Sequence, residues 1–191
     1  MWRRAYACPC RDPNSGAAKK TCPQCGGRSW LWGSAVRASA AAAGQKAQQQ
    51  WAQFGLWQSG DVVISLPSDS PMYEMGQFDR VVMLNSSDPF SIPLTRGKDR
   101  LSGAILTINR CFWLNQSGAI VEGAVPMFSS DGQLTWEPDI SAPPAGSMYT
   151  VSGTRLKEYF CWGPFTQDRA MHHGARLPRK VVLRLFDLMG R

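Results

Sequence analysis

The pattern of apolar and polar positions changes texture twice along the chain. Through residue 33 apolar side chains are sparse, apart from the short aromatic run Ser29–Gly33 (SWLWG). From Ser34 to Phe54 the apolar positions are mostly alanine, set among glutamines. From Leu56 onward, runs of β-branched and aromatic residues recur between turn formers. Gly60–Pro67 alternates, becomes continuously apolar and stops at a proline, the mark of a strand. Phe78–Asn85, Ala104–Leu114, Ala119–Phe128 and Gln133–Trp136 read the same way, with turns predicted at Asn115–Gly118 and Asp131–Gly132. A Pro/Gly corner after Ser141 feeds one or two further strands, and the basic-flanked apolar run 177–191 closes the chain. Short, regularly spaced strands predict a mainly β fold, a small barrel or sandwich with long extended loops. There is no internal repeat.

The Ala/Gln segment has high helix propensity, but Gly44 interrupts it. Its methyl-sized apolar face suits close packing or a lie across a sheet, so it reads as a helix or a linker. The organisation predicted is a small module over 1–33, a helix or linker over 34–55, and a β-domain over 56–191.

Four cysteines give the first segment its chemistry. Cys8 and Cys10 stand in CPC, and Cys22 and Cys25 in CPQCGG. Two close thiol pairs across a short loop can surround one tetrahedral Zn²⁺. The intervening RDPNSGAAKKT has too few apolar residues to build a core, so a metal would supply the folding energy. Gly26 and Gly27 suit a knuckle whose backbone N–H groups point at sulfur. The single residue between Cys8 and Cys10 is shorter than the usual two to four. Disulfides need an oxidising compartment, and MWRRAYACPC has no apolar stretch of signal-peptide length. The CPQC pair also lacks the βαβ context of a redox motif. Cys111 (RCFWL) and Cys161 (YFCWG) sit in apolar surroundings and read as small core residues.

Composition sharpens this picture. Of 191 residues, 43% are apolar, enough for a core, while only 18% are charged, which is low for a free-standing monomer. Eight Trp and eight Phe, many in Gly/Pro-rich stretches, point to surfaces meant for partners as well as to a core. The net charge of +7 is concentrated at the ends: residues 1–33 and 155–191 are basic and 34–154 mildly acidic. The ends suit a polyanion or an acidic protein surface. Within the closing run, Arg179 and Lys180 are candidate partner-docking residues. No run reaches the length of a membrane span.

A catalytic set is missing from the sequence. The two histidines, His172 and His173, are adjacent, and in an extended segment they would point to opposite faces. No nucleophile elbow, P-loop, HExxH or dinucleotide fingerprint occurs. Asp69, Asp79, Asp88, Asp99 and Asp131 lie at or near predicted turns, where aspartate satisfies local backbone N–H groups. A non-enzymatic role without a small-molecule substrate is expected.

The order of several segments resembles head-completion or head-to-tail connector (neck) proteins of tailed bacteriophages. These are SGDVVISLPSDSPMYEMGQFDRVVMLNSSDPFS, LTRGKDRL, DGQLTWEPDISAPPAGSMYTVSG and LPRKVVLRLFDLMGR, within Trp57–Arg191. The resemblance implies a virion subunit that forms a homo-oligomeric ring between portal and tail proteins, with packaged DNA at its lumen. Pro67–Phe78 and Asn85–Arg100 would be docking loops. The cysteine-rich start departs from a minimal connector and is expected to be a zinc-stapled knob on a tether, reaching a neighbour. Tail or baseplate proteins, and a zinc-ribbon nucleic-acid-binding protein, are the alternatives.

Overall fold

The structure, a computed structural model, describes residues 1–129, 131–137, 141–165 and 171–189. Strands β1 (Trp2–Arg3) and β2 (Ala5–Ala7) open the chain, and β3 (Trp30–Trp32) follows the cysteine loop. After β4 (Ala41–Ala42) come helix α1 (Gln45–Gln53) and β5 (Val62–Leu66). Next are β6 (Arg80–Thr95), β7 (Ile105–Leu114), β8 (Ile120–Gly123), β9 (Met127–Phe128), β10 (Leu134–Thr135) and β11 (Met148–Pro164). A small hairpin of β12 (Met171–His172) and β13 (Ala175–Arg176) precedes β14 (Arg179–Leu185) and a 3₁₀ turn at Phe186–Leu188. The protein is mainly β, as its alternation predicts. No helix among the described residues is long and apolar enough to cross a membrane.

The chain forms two compact units: Met1–Val82 with Glu158–Arg191, and Met83–Lys157. The division cuts through residues 56–191, because β6 and β11 each run from one unit into the other.

In the first unit the strand order is β1–β6–β11–β14–β5–β4, all antiparallel where register is defined. Val63, Leu66, Val181, Val182 and Leu183 are fully buried, which is why β5 and β14 read as nearly continuous apolar runs. Helix α1 begins only after Gly44; before it, Val36 bridges Trp2 and β4 pairs with β5. Ala47 and Trp51, four residues apart and so on one helix face, are the buried positions of α1. Trp51 Nε1 donates to Asp61 at 3.0 Å, and Asp61 also takes the Arg184 guanidinium at 2.9 and 3.0 Å. This ion pair is buried, and Trp162 lies against its cationic side, 4.0 Å from guanidinium carbon to ring centroid.

The second unit has its own core of Phe90, Leu94, Leu101, Cys111, Trp113, Tyr149 and Val151. Here β11 pairs with β7, and β7 with β8, both antiparallel. The register slips at Ser152/Gly153, where a Cβ on Gly153 would sit 2.0 Å from the Thr107 carbonyl oxygen. Only glycine fits there. The Asn115–Gly118 turn forms as predicted, Asn115 Oδ1 accepting from the N–H groups of Ser117 and Ala119.

Three expectations change. The strand path of the first unit is open, ending at β1 and β4, rather than closed into a barrel. Asn85–Arg100 is not a docking loop, because β6 continues to Thr95, turning Phe90 and Leu94 inward. Its Pro89 and Pro93 are tolerated because, among the described residues and beyond the short β1, β6 has a partner strand on one side only. Pro67–Phe78 is a chain of turns that buries Met72 and Met75 in its own unit.

Candidate metal centre

The cysteine module is a ribbon ending in two tight turns. β2 and β3 pair Ala5 with Trp32, Tyr6 with Leu31 and Ala7 with Trp30, and Cys8 N then donates to Ser29 O at 2.8 Å. The ribbon therefore carries Cys8 to the end of its paired strands, opposite Ser29. The first turn closes with Arg11 N on Cys8 O at 2.9 Å, and the second with Gly26 N on Cys22 O at 2.9 Å. Gly26 and Gly27 have φ of 57° and 82°, the left-handed region their residue type favours, as the sequence predicts for a knuckle. Between the turns, Asp12 Oδ1 accepts from Asn14 N and Ser15 N, and Arg11 Nε donates to Gly16 O. The apolar-poor loop is thus ordered by local polar bonds rather than by a core.

The four sulfurs lie within 4.8 Å of one another, with Cys8–Cys22 at 3.8 Å and Cys10–Cys25 at 3.5 Å. A tetrahedral ion with metal–sulfur bonds of about 2.3 Å sets neighbouring sulfurs about 3.8 Å apart. The one-residue spacing of Cys8 and Cys10 is no obstacle. Cys8, Cys22 and Cys25 are buried and Cys10 half-buried. Four soft donors at this spacing can hold a metal ion.

The thiols are electrostatically divided. Backbone N–H groups of Cys25 and Gln24 pull Cys22 down to about 6. Burial and the Cys8 thiol push Cys10 up to about 12. At Cys25 burial opposes ionisation, but the Cys10 thiol and the Ser29 and Gly27 N–H groups outweigh it and lower the pKa. Crowded thiols cannot all ionise without a cation. A bound metal would make all four thiolates and expel the remaining protons.

The module is packed against its own unit. Trp30 stacks on Phe78 with centroids 4.5 Å apart, and Trp32 Nε1 donates to Phe78 O at 3.1 Å. The Arg80 guanidinium carbon lies 4.4 Å from the Phe186 ring centroid and 5.6 Å from that of Trp32, and Arg28 approaches Phe186 from the module. Asp79 accepts from Trp2 Nε1 at 2.8 Å, Ala5 N at 2.7 Å and Gly76 N at 3.0 Å, and is itself buried. The expected knob on a tether is replaced by a docked module, because these aromatics and one carboxylate bind it to β6 and its approach.

The other sequence candidates fall as follows. Cys111 and Cys161 are buried, with thiols pushed up by burial to about 11 and about 12, as core residues should be. His172 and His173 do not point apart: His173 and Gly174, with φ of 46° and 79°, turn the β12–β13 hairpin and leave the two rings 4.3 Å apart at an exposed tip. Arg179 donates to the Tyr73 and Met75 carbonyls at 3.1 Å, tying down the 67–78 turns, a role its sequence does not advertise. Lys180 Nζ lies 5.8 Å from the Phe165 centroid. Asp99 and Asp131 serve local turns as predicted, whereas Asp88 pairs with Lys157. Asp79 and Asp61 hold distant segments, which short-range reading misses. No protein-family model matches the chain, and no curated protein matches its sequence.

Proposed function

We propose that this chain is a non-catalytic structural subunit of a tailed-bacteriophage virion, a ring-forming neck protein joining portal and tail. Its Cys8, Cys10, Cys22 and Cys25 hold a structural Zn²⁺. Zinc is the ion chosen because four thiolates in a tetrahedron are its closed, structural coordination, leaving no open position for chemistry. The observation that carries the assembly reading is the split of charge between the units, together with the apolar side chains that the neutral one exposes. The first holds fifteen Lys/Arg against eight Asp/Glu, the whole net charge of +7; the second holds six of each. The neutral second unit nevertheless exposes Leu114, Ile120, Met127 and Met148, each more than half accessible. Where such side chains are contiguous, they mark a surface covered by a partner. The basic unit suits packaged DNA or acidic neighbours in the portal or tail.

Negative-stain microscopy and sedimentation of the zinc-loaded chain test this reading. Closed rings support it. A chain that stays monomeric or dimeric, and binds DNA with an affinity falling steeply as salt rises, would instead make it a zinc-ribbon nucleic-acid-binding protein.

A further inference from the structure

The exposed apolar residues of the second unit are not scattered. β7 and β8 pair Leu114 with Ile120, and Phe112 with Glu122. β11 and β7 pair Thr150 with Phe112, so continuing that register by one step on the same face sets Met148 opposite Leu114. Side chains two residues apart on a strand share a face. Met148, Leu114 and Ile120 therefore form one cross-strand row on the outer face of β11–β7–β8. Their exposures are 69%, 64% and 72%. The opposite face of the same strands carries Val151, Cys111 and Trp113, the core of the unit. The row is apolar surface on the side that the unit's own core does not need.

Beside the row, on the same face, Arg110 Nε donates to Glu122 Oε1 at 2.8 Å, an exposed ion pair that offers both signs of charge. Across the unit the formal charges balance. A neighbouring copy's neutral second unit can therefore approach this face without net repulsion. Arg110 and Glu122 offer either sign of charge to the different surface of that copy which meets them, as a head-to-tail ring contact requires. The first unit, at +7, opposes contact with its own kind and suits an acidic partner instead.

We propose that the Met148–Leu114–Ile120 row, flanked by Arg110 and Glu122, is the surface through which a second copy of this chain docks. The proposal rests on the ring reading and names the face that makes the ring. A lysine in such a row desolvates a charge in the contact while remaining harmless on an exposed strand of the isolated subunit.

The test compares the zinc-loaded wild type with a Leu114→Lys/Ile120→Lys double variant by sedimentation over a concentration series. Leu56→Lys, an exposed apolar position of the first unit, is the control. The double variant should keep the wild-type circular dichroism and melting temperature while its self-association weakens by at least about tenfold. The control should associate as wild type does. Unchanged association in the double variant overturns the proposal and leaves the ring reading intact, with the contact elsewhere. A wild type that is monomeric throughout overturns both. Should the double variant misfold, hydrogen exchange on the wild type decides: amides of 112–122 and 148–150 must gain protection as concentration rises, and constant exchange there sinks the proposal.

Discussion

Asp79 shows how much a single side chain can carry. Its carboxylate is almost fully buried and accepts three N–H groups, two of them from the first five residues of the chain. Asp79→Ala leaves those donors without an acceptor and should destabilise the first unit by about 3 kcal/mol. Limited proteolysis should then cut within residues 1–33 first. An unchanged melting temperature would contradict this role. The sequence shows half of it: an aspartate near a turn, which the structure bonds to the local Gly76 N. The other half depends on the N-terminus returning across more than seventy residues, which no local pattern encodes. Arg179 is similar. Its two bonds to the Tyr73 and Met75 carbonyls give Arg179→Ala/Lys180→Ala a folding cost of about 2 kcal/mol. A double variant that melts like wild type but fails to assemble would restore Arg179 and Lys180 to docking alone.

The cysteine module is the element most legible in the sequence, because four thiols within eighteen residues leave few other arrangements for so apolar-poor a segment. What the spacing does not reveal is where the module sits. Trp30, Trp32 and Arg28 pack on Phe78, Arg80 and Phe186, so losing the metal should reach beyond residue 33. Cys25→Ser should abolish metal binding and loosen β1 and residues 76–80, while the second unit keeps its hydrogen-exchange protection. Protection lost uniformly over both units, or nowhere, would contradict that coupling. Metal binding also needs every thiol deprotonated, including Cys10, which burial and the Cys8 thiol hold near 12. Protons therefore compete with the metal, and affinity must fall as pH falls. A chelator competition from pH 8 to pH 5 should show progressive release; a flat profile would exclude thiolate ligation. Among the strands, β5 and β7 follow their apolar patterns closely. β6 was hidden because Asn85-Ser-Ser-Asp-Pro looks like a loop, although Phe90, Ile92 and Leu94 alternate beyond it.

At the scale of the whole molecule, the two-unit organisation was not legible. A boundary in sequence normally shows as a linker, and here it falls inside two long strands, β6 and β11, with no linker at either crossing. The charge bias was visible at both termini, and the fold explains it by gathering both ends into one unit. That leaves a basic unit carrying the four-cysteine cluster and a neutral unit with an uncovered apolar row, a division of surfaces suited to a subunit built for assembly. Native mass spectrometry of the purified chain, with metal read from the same spectra, tests this most directly. The account predicts one zinc per chain in a closed, ring-sized oligomer. A metal-free chain, or a zinc-loaded chain that remains monomeric, would contradict it.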